Sequence, residues 1–228
     1  MFHQFTQSHT AIKDYQGYRL IAVGSDLHIA TDPTDTDTYF QSQPNTKDYN
    51  LLHSNAAYDL CNRLYVDAIV QPRRLCNEGR AQADRVDRSP IKGKTIVITD
   101  RGYEGYNNFA NIERKGWNYV IRVKDLDSSG ILSGLRLPSS GEFDIAVHLT
   151  LTKKQTNAVK AHPEIYKFIS TKSIFDFLDL HAHLFYPISF RVVRFILLNG
   201  TYETVITNLS DTDFPPDELK SILHAMGH

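Results

Sequence analysis

The chain has 228 residues, of which 41% are hydrophobic and 22% charged, and its formal net charge at pH 7 is −1. This balance excludes global disorder, and the chain holds no apolar run of the length that a membrane helix needs. Residues 1–7 lack the basic and apolar regions of a signal peptide, so we expect a cytoplasmic protein. Cys61 and Cys76 are expected to be reduced thiols, too few by themselves for a zinc site.

The first predicted elements are strands. Residues 18–23 (Tyr-Arg-Leu-Ile-Ala-Val) form a strand candidate that ends at Gly24. Residues 51–60 and 64–70 are two further strand-like runs, separated by only Cys-Asn-Arg. So short a connection predicts an antiparallel hairpin.

A helix and a buried strand follow. Residues 75–86 have the alanine spacing of a helix, and the apolar run 96–98 shows no polar alternation. Such a run is typical of a strand that is buried on both faces of a sheet. Asp100 comes directly after it, where open α/β sheets place their chemistry. We therefore treat Asp100 as the first candidate for a catalytic residue.

The next predicted helix begins with Asn107 or Asn108 as its N-cap and ends at Gly116, which favours the left-handed conformation. Residues 117–123 then form a strand. The order β, β, β, α, β, α, β over residues 1–125 predicts an α/β fold with a mixed sheet: three antiparallel strands, then alternating helix and strand.

Beyond residue 125 the pattern changes. Residues 143–152 alternate like a strand, and 190–198 and 202–207 flank Asn-Gly, a strong hairpin signal. We predict a β-rich, mostly antiparallel region over residues 126–210, followed by residues 211–228, which begin a helix at the Pro-Pro-Asp-Glu segment.

Charge is distributed unevenly along the chain, although the net charge is only −1. Residues 90–124 carry seven cations and three acids, whereas residues 26–49 carry five aspartates against one lysine. A basic stripe beside an acid at a strand end suits a phosphate backbone. Arg101, Arg122 and Lys124 are the candidate DNA contacts.

The segment Val-Ile-Thr-Asp-Arg-Gly-Tyr, residues 97–103, resembles the second catalytic-acid motif of DDE transposases from bacterial insertion sequences. In the group of these transposases that the chain resembles, the third acid lies in a Tyr-Arg-Glu-Lys signature. Residues 18–25 are similar to the first-acid strand, residues 107–124 to the helix and strand after the second acid, and 211–223 to the approach to the third. The resemblance extends over roughly residues 15–223.

The resemblance implies a ribonuclease-H-like core interrupted by a β-rich insertion. It also implies that three carboxylates hold two divalent metal ions, usually Mg²⁺, for cleavage and joining of DNA at transposon ends. Paired metals suit this chemistry because they stabilise both the attacking and the leaving oxygen. In that scheme Asp100 is the second acid.

The chain departs from the family pattern in two places. Val23 runs directly into Gly24, where the family has an intervening Asp, so Asp26 is the nearest candidate for a substitute catalytic and metal-binding acid. The residues after Lys220 end before a Tyr-Arg-Glu-Lys pattern. We therefore expect a truncated copy without strand-transfer activity, in which retention of Mg²⁺ is in doubt because one carboxylate holds Mg²⁺ weakly.

Two alternatives remain open at this stage. The chain could be a non-catalytic protein that binds DNA or pairs with a full-length transposase as an inhibitor. It could also be an unrelated metal-dependent nuclease, which a cluster of Asp26, Asp100 and a third carboxylate would favour.

Overall fold

The computed structural model describes residues 12–24, 26–41 and 46–226. Residues 1–7, which were assessed for a signal peptide, lie outside the described residues. The strands are β1 Arg19–Val23, β2 Asp26–Ile29, β3 Tyr39–Phe40, β4 Tyr49–Asp59, β5 Leu64–Pro72, β6 Thr95–Thr99, β7 Asn118–Val123, β8 Phe143–Thr152, β9 Tyr166–Phe168, β10 Tyr186–Ile196 and β11 Tyr202–Thr207. The helices are α1 Glu78–Arg88, α2 Tyr106–Arg114, α3 Asn157–Ala161 and α4 Pro216–Met226.

All these strands belong to one mixed sheet with the order β2-β4-β1-β6-β7-β11-β10-β8-β9, while β3 and β5 also pair with β4. Strand β4 is antiparallel to both β1 and β5, and β1, β6 and β7 are parallel neighbours. The five strands β5-β4-β1-β6-β7 therefore have the order and directions expected of a ribonuclease-H-like core. This confirms the predicted α/β fold class.

The buried strand β6 separates two hydrophobic clusters. Val97 packs in one cluster, and Ile96 and Ile98 pack in the other. Successive strand side chains point to opposite faces, so an unbroken apolar run is needed when both faces are covered. Helices α1 and α2 contribute to the first cluster, and α4 contributes Leu219 and Ile222 to the second.

Three short strands, β2, β3 and β9, were not predicted. Every residue of β2 is exposed, so the segment lacks the alternation that marks a half-buried strand. The predicted hairpin is confirmed, since β4 and β5 pair antiparallel across residues 60–63. No helix within the described residues is both long and apolar enough to cross a lipid bilayer.

The start of α2 differs from the prediction. The helix begins at Tyr106 with Gly105 as its N-cap, so neither Asn107 nor Asn108 caps it. The Asn108 side chain instead donates to the backbone oxygen of Tyr103 at 3.0 Å. Gly116 has a φ of 74°, which confirms its predicted left-handed conformation after the helix.

Strands β8 to β11 extend the core sheet through the pairing of β11 with β7. Strand β8 has the predicted bounds, and β10 and β11 form the predicted hairpin around Gly200, whose φ is 82°. This pairing places residues from the β-rich region beside the end of β7, where the candidate site lies.

Candidate active site

Asp100 lies directly after β6, at the edge of the sheet where β1, β6 and β7 end. Its side chain is 60% exposed, although the strand before it is fully buried. The short 3₁₀ turn Arg101–Tyr103 follows, and the Tyr103 backbone N–H donates to the Asp100 carbonyl at 3.0 Å. The buried strand and this turn together fix the position of the carboxylate.

Arg122 is the ion-pair partner of Asp100. Its Nη1 donates to Asp100 Oδ1 at 3.0 Å, and its Nη2 donates to Glu203 Oε2 at 2.6 Å. The hydrogen bond to Glu203, with the charges of Glu203 and Asp100, raises the pKa of Arg122. The guanidinium therefore stays charged and partly neutralises Asp100.

Glu203 is a member of this cluster that the sequence did not indicate. It lies on β11, its side chain is only 4% exposed, and it also accepts from Arg101 Nη2 at 3.2 Å. A lone acid inside a predicted strand gives no signal of function. The four charged groups Asp100, Arg101, Arg122 and Glu203 form what we call the strand-end cluster.

Asp26 has a different partner. Its Oδ1 lies 2.7 Å from Nδ1 of His53, the residue opposite it on β4. Among the described residues no hydrogen bond or ion pair joins Asp26 to Asp100. The structure thus assigns the two candidate acids to separate contacts.

The pairing of β4 changes register between β1 and β2. Val23 of β1 pairs with Ala57, whereas Asp26 of β2 pairs with His53. The three-residue advance from Val23 to Asp26 therefore pairs with a four-residue advance along β4. One additional residue between Val23 and Asp26 would make the ladder continuous, since a bulge arises where one strand has an extra residue. The register break thus coincides with the position at which the sequence departs from the family pattern.

Gly24 occupies the position beside Asp100. Val23 pairs with Thr99 in the parallel β1–β6 ladder, so the residues that follow these two are neighbours. Gly24 has a φ of 150°, a conformation that residues with side chains rarely adopt. The position next to Asp100 on β1 therefore carries no carboxylate.

A buried polar network supports the turn after Asp100. Arg85 on α1 is fully buried and donates to Asn55 Oδ1 at 3.1 Å and to Gln82 Oε1 at 2.6 Å. Asn55 in turn donates to the Tyr103 hydroxyl at 3.1 Å. Burial lowers the pKa of Arg85 to about 10, so it remains charged at neutral pH.

Lys124 is one of two exposed residues among the three predicted DNA contacts. Its side chain is exposed, and its backbone N–H donates to Glu104 Oε2 at 2.9 Å. Arg101 is half exposed despite its contact with Glu203, whereas Arg122 is held by two acids. All three lie near the strand end that carries Asp100.

Comparison with known proteins identifies the family. The model of the transposase DDE domain matches residues 24–225. The chain belongs to the DDE transposase domain family. A piggyBac transposase in a synaptic complex with hairpin DNA, solved by cryo-electron microscopy, is similar in fold, with a TM-score of 0.50 and 10% identity. That match covers 99% of this chain and 40% of the piggyBac chain. A search of curated protein sequences found no significant match.

Family membership implies a general dependence on divalent metal, which the residues around Asp100 would have to bind. A two-metal centre needs several carboxylates at one point. In the part of the chain that the structure describes, Asp100 belongs to no group of three potential ligands, and its Oδ1 accepts from Arg122. The described residues of this DDE domain do not fit a two-metal centre, and we derive no catalytic step through one.

Proposed function

We propose that this chain is a transposase DDE domain that contacts DNA but does not cleave it. The parent reaction is metal-dependent phosphodiester cleavage and strand transfer at transposon ends. The register break at Gly24 carries the proposal, because it removes the residue position where a first acid would stand beside Asp100. The ion pair between Asp100 and Arg122 supports it, since a guanidinium already partly neutralises Asp100.

Cleavage is tested with supercoiled plasmid in Mg²⁺ or Mn²⁺. We expect no nicking by the wild-type chain and no difference between wild type and Asp100→Ala. Turnover that the wild type shows and Asp100→Ala abolishes would overturn the proposal. Isothermal titration with Mg²⁺ should likewise give no binding that depends on Asp100.

DNA contact is the second part of the proposal, and the exposed cations Arg101 and Lys124 at the same strand end favour it. A labelled duplex carrying the ends of the encoding element should bind at low salt and dissociate as salt rises. Lys124→Ala should lower the slope of log affinity against log salt by about 1. An absence of binding even at low salt would refute DNA contact.

A non-catalytic domain of this kind could act as an inhibitor by occupying transposon ends or by pairing with a full-length transposase. We propose that it works on chromosomal DNA in the bacterial cytoplasm. The family match sets aside the alternative of an unrelated nuclease. Co-purification with a full-length transposase of the same group, with and without element-end DNA, separates pairing from competition for DNA.

A further inference from the structure

A group of three potential metal ligands lies beside the turn that follows Asp100. Ligand atoms of His53, Cys76 and Glu78 all lie within 4.8 Å of one another. His53 Nδ1 is 3.9 Å from Glu78 Oε1 and 2.7 Å from Asp26 Oδ1. One imidazole, one thiol and one carboxylate therefore converge, and the Asp26 carboxylate contacts the same imidazole.

We propose that His53, Cys76 and Glu78, with Asp26 as the fourth ligand, form a binding site for a zinc-like transition-metal cation. Nitrogen, thiolate and carboxylate ligands are those that Zn²⁺ takes, and four of them suit its tetrahedral geometry. The thiolate favours zinc over Mg²⁺, which prefers oxygen ligands and retained water. The site is thus different in chemistry from a two-metal carboxylate centre.

The ligands come from rigid parts of the fold. His53 lies on strand β4, which pairs with β1, β2, β3 and β5, and its side chain is 8% exposed. Cys76 and Glu78 flank Asn77, the N-cap of α1, whose Oδ1 accepts from the Arg80 backbone N–H at 2.9 Å. A strand and a capped helix start hold these groups in place, as a metal site of useful affinity requires.

His53 provides an observation independent of the clustering. Its Nε2 is buried and has no hydrogen-bond partner among the described residues. A buried Nε2 without an acceptor disfavours a proton on that nitrogen, so the neutral free ring carries its proton on Nδ1, which faces Asp26 and Glu78.

The acidic partners and their exposure allow a cation to enter. Asp26 is 51% and Glu78 34% exposed, so solvent reaches the carboxylate side of the site. Metal binding to Cys76 requires the thiolate, so the thiol proton would be released to solvent as the cation enters.

The inference does not depend on the proposed function. Co²⁺ is the probe, because a bound thiolate gives it a ligand-to-metal charge-transfer band. We expect the full chain to bind one Co²⁺ with this band, and Zn²⁺ to displace it. Cys76→Ser should abolish the band, whereas Cys61→Ser, the matched control in the β4–β5 turn, should leave it unchanged.

A second pair of variants tests the geometry of the site without replacing any of the ligand residues. A Cβ added at Gly102 would overlap the Glu78 carboxylate, whereas one at Gly105 would meet nothing. Gly102→Ala should therefore weaken Co²⁺ binding by about tenfold, and Gly105→Ala should not change it. The proposal is overturned if wild type shows no thiolate band, if Cys61→Ser rather than Cys76→Ser removes it, or if Gly102→Ala binds Co²⁺ like wild type.

Discussion

Arg122 and Asp100 stand at the ends of the parallel neighbours β7 and β6, and their side chains join at 3.0 Å. The same guanidinium reaches Glu203, which is buried on β11. At this strand end, the positive charge next to Asp100 is therefore supplied by an arginine side chain of the protein itself. A carboxylate that is already paired gains less from binding a cation, since the arginine must first be displaced.

Arg122→Ala should lower the free energy of unfolding by about 2 kcal/mol, because Glu203 would keep a buried charge with a weaker partner. Arg101→Ala should cost less than about 1 kcal/mol, since Arg101 is half exposed and its contact is longer. Urea denaturation at neutral pH measures both. Equal losses in the two variants would contradict the assignment of Arg122 as the main partner of Glu203.

Inserting one residue between Val23 and Gly24 should restore a continuous ladder with β4. We expect insertion of Asp and insertion of Ala to raise stability alike, by about 1 kcal/mol for the regained hydrogen bond. Only the Asp insertion should add Mn²⁺ binding that depends on Asp100, because the new side chain would lie beside it. Thermal melting and Mn²⁺ relaxivity measure these effects. A loss of stability in both variants would show that the register break is not a missing residue.

Asn55→Ala should destabilise the protein by about 3 kcal/mol, because it removes a hydrogen-bond partner of the buried Arg85 as well as that of Tyr103. Tyr103→Phe removes one neutral hydrogen bond and should cost about 1 kcal/mol. Chemical denaturation distinguishes them. A loss in Tyr103→Phe as large as that in Asn55→Ala would place the main contribution in the tyrosine hydroxyl instead.

The Asp125 carboxylate should stabilise the protein near neutral pH and lose that contribution in acid. Arg194 donates to both carboxylate oxygens at 2.8 Å, and these hydrogen bonds, with one from Thr204, lower the pKa of Asp125 from 3.8 to about 2. A depressed pKa means that the stabilisation is present above the unfolded value and is lost as pH falls through the folded value.

Melting temperatures between pH 5 and pH 2 should therefore fall less steeply for Asp125→Asn than for wild type, with the difference concentrated between about pH 4 and about 2. Asp37→Asn, in an exposed loop, is the control and should follow wild type. Parallel curves for Asp125→Asn and wild type would contradict the role of the Arg194 pair.

Local patterns in the sequence were enough to predict β6, the β4–β5 and β10–β11 hairpins and the conformation of Gly116. Each depends on residues that are close along the chain: an apolar run, a short turn, a glycine after a helix. The start of α2 was predicted wrongly, because Asn108 turns inward to Tyr103 instead of capping the helix. That choice depends on tertiary packing and leaves no local signal.

The positions of the charged and metal-binding candidates likewise depend partly on local sequence and partly on tertiary structure. The position of Asp100 at a buried strand end follows from its neighbours, because a strand with two covered faces must be apolar throughout. Glu203 reaches Arg122 only through the pairing of β11 with β7, and Cys76 meets His53 only because α1 begins beside β4. These contacts join residues distant along the chain, and strand register and packing, which no local periodicity encodes, select them.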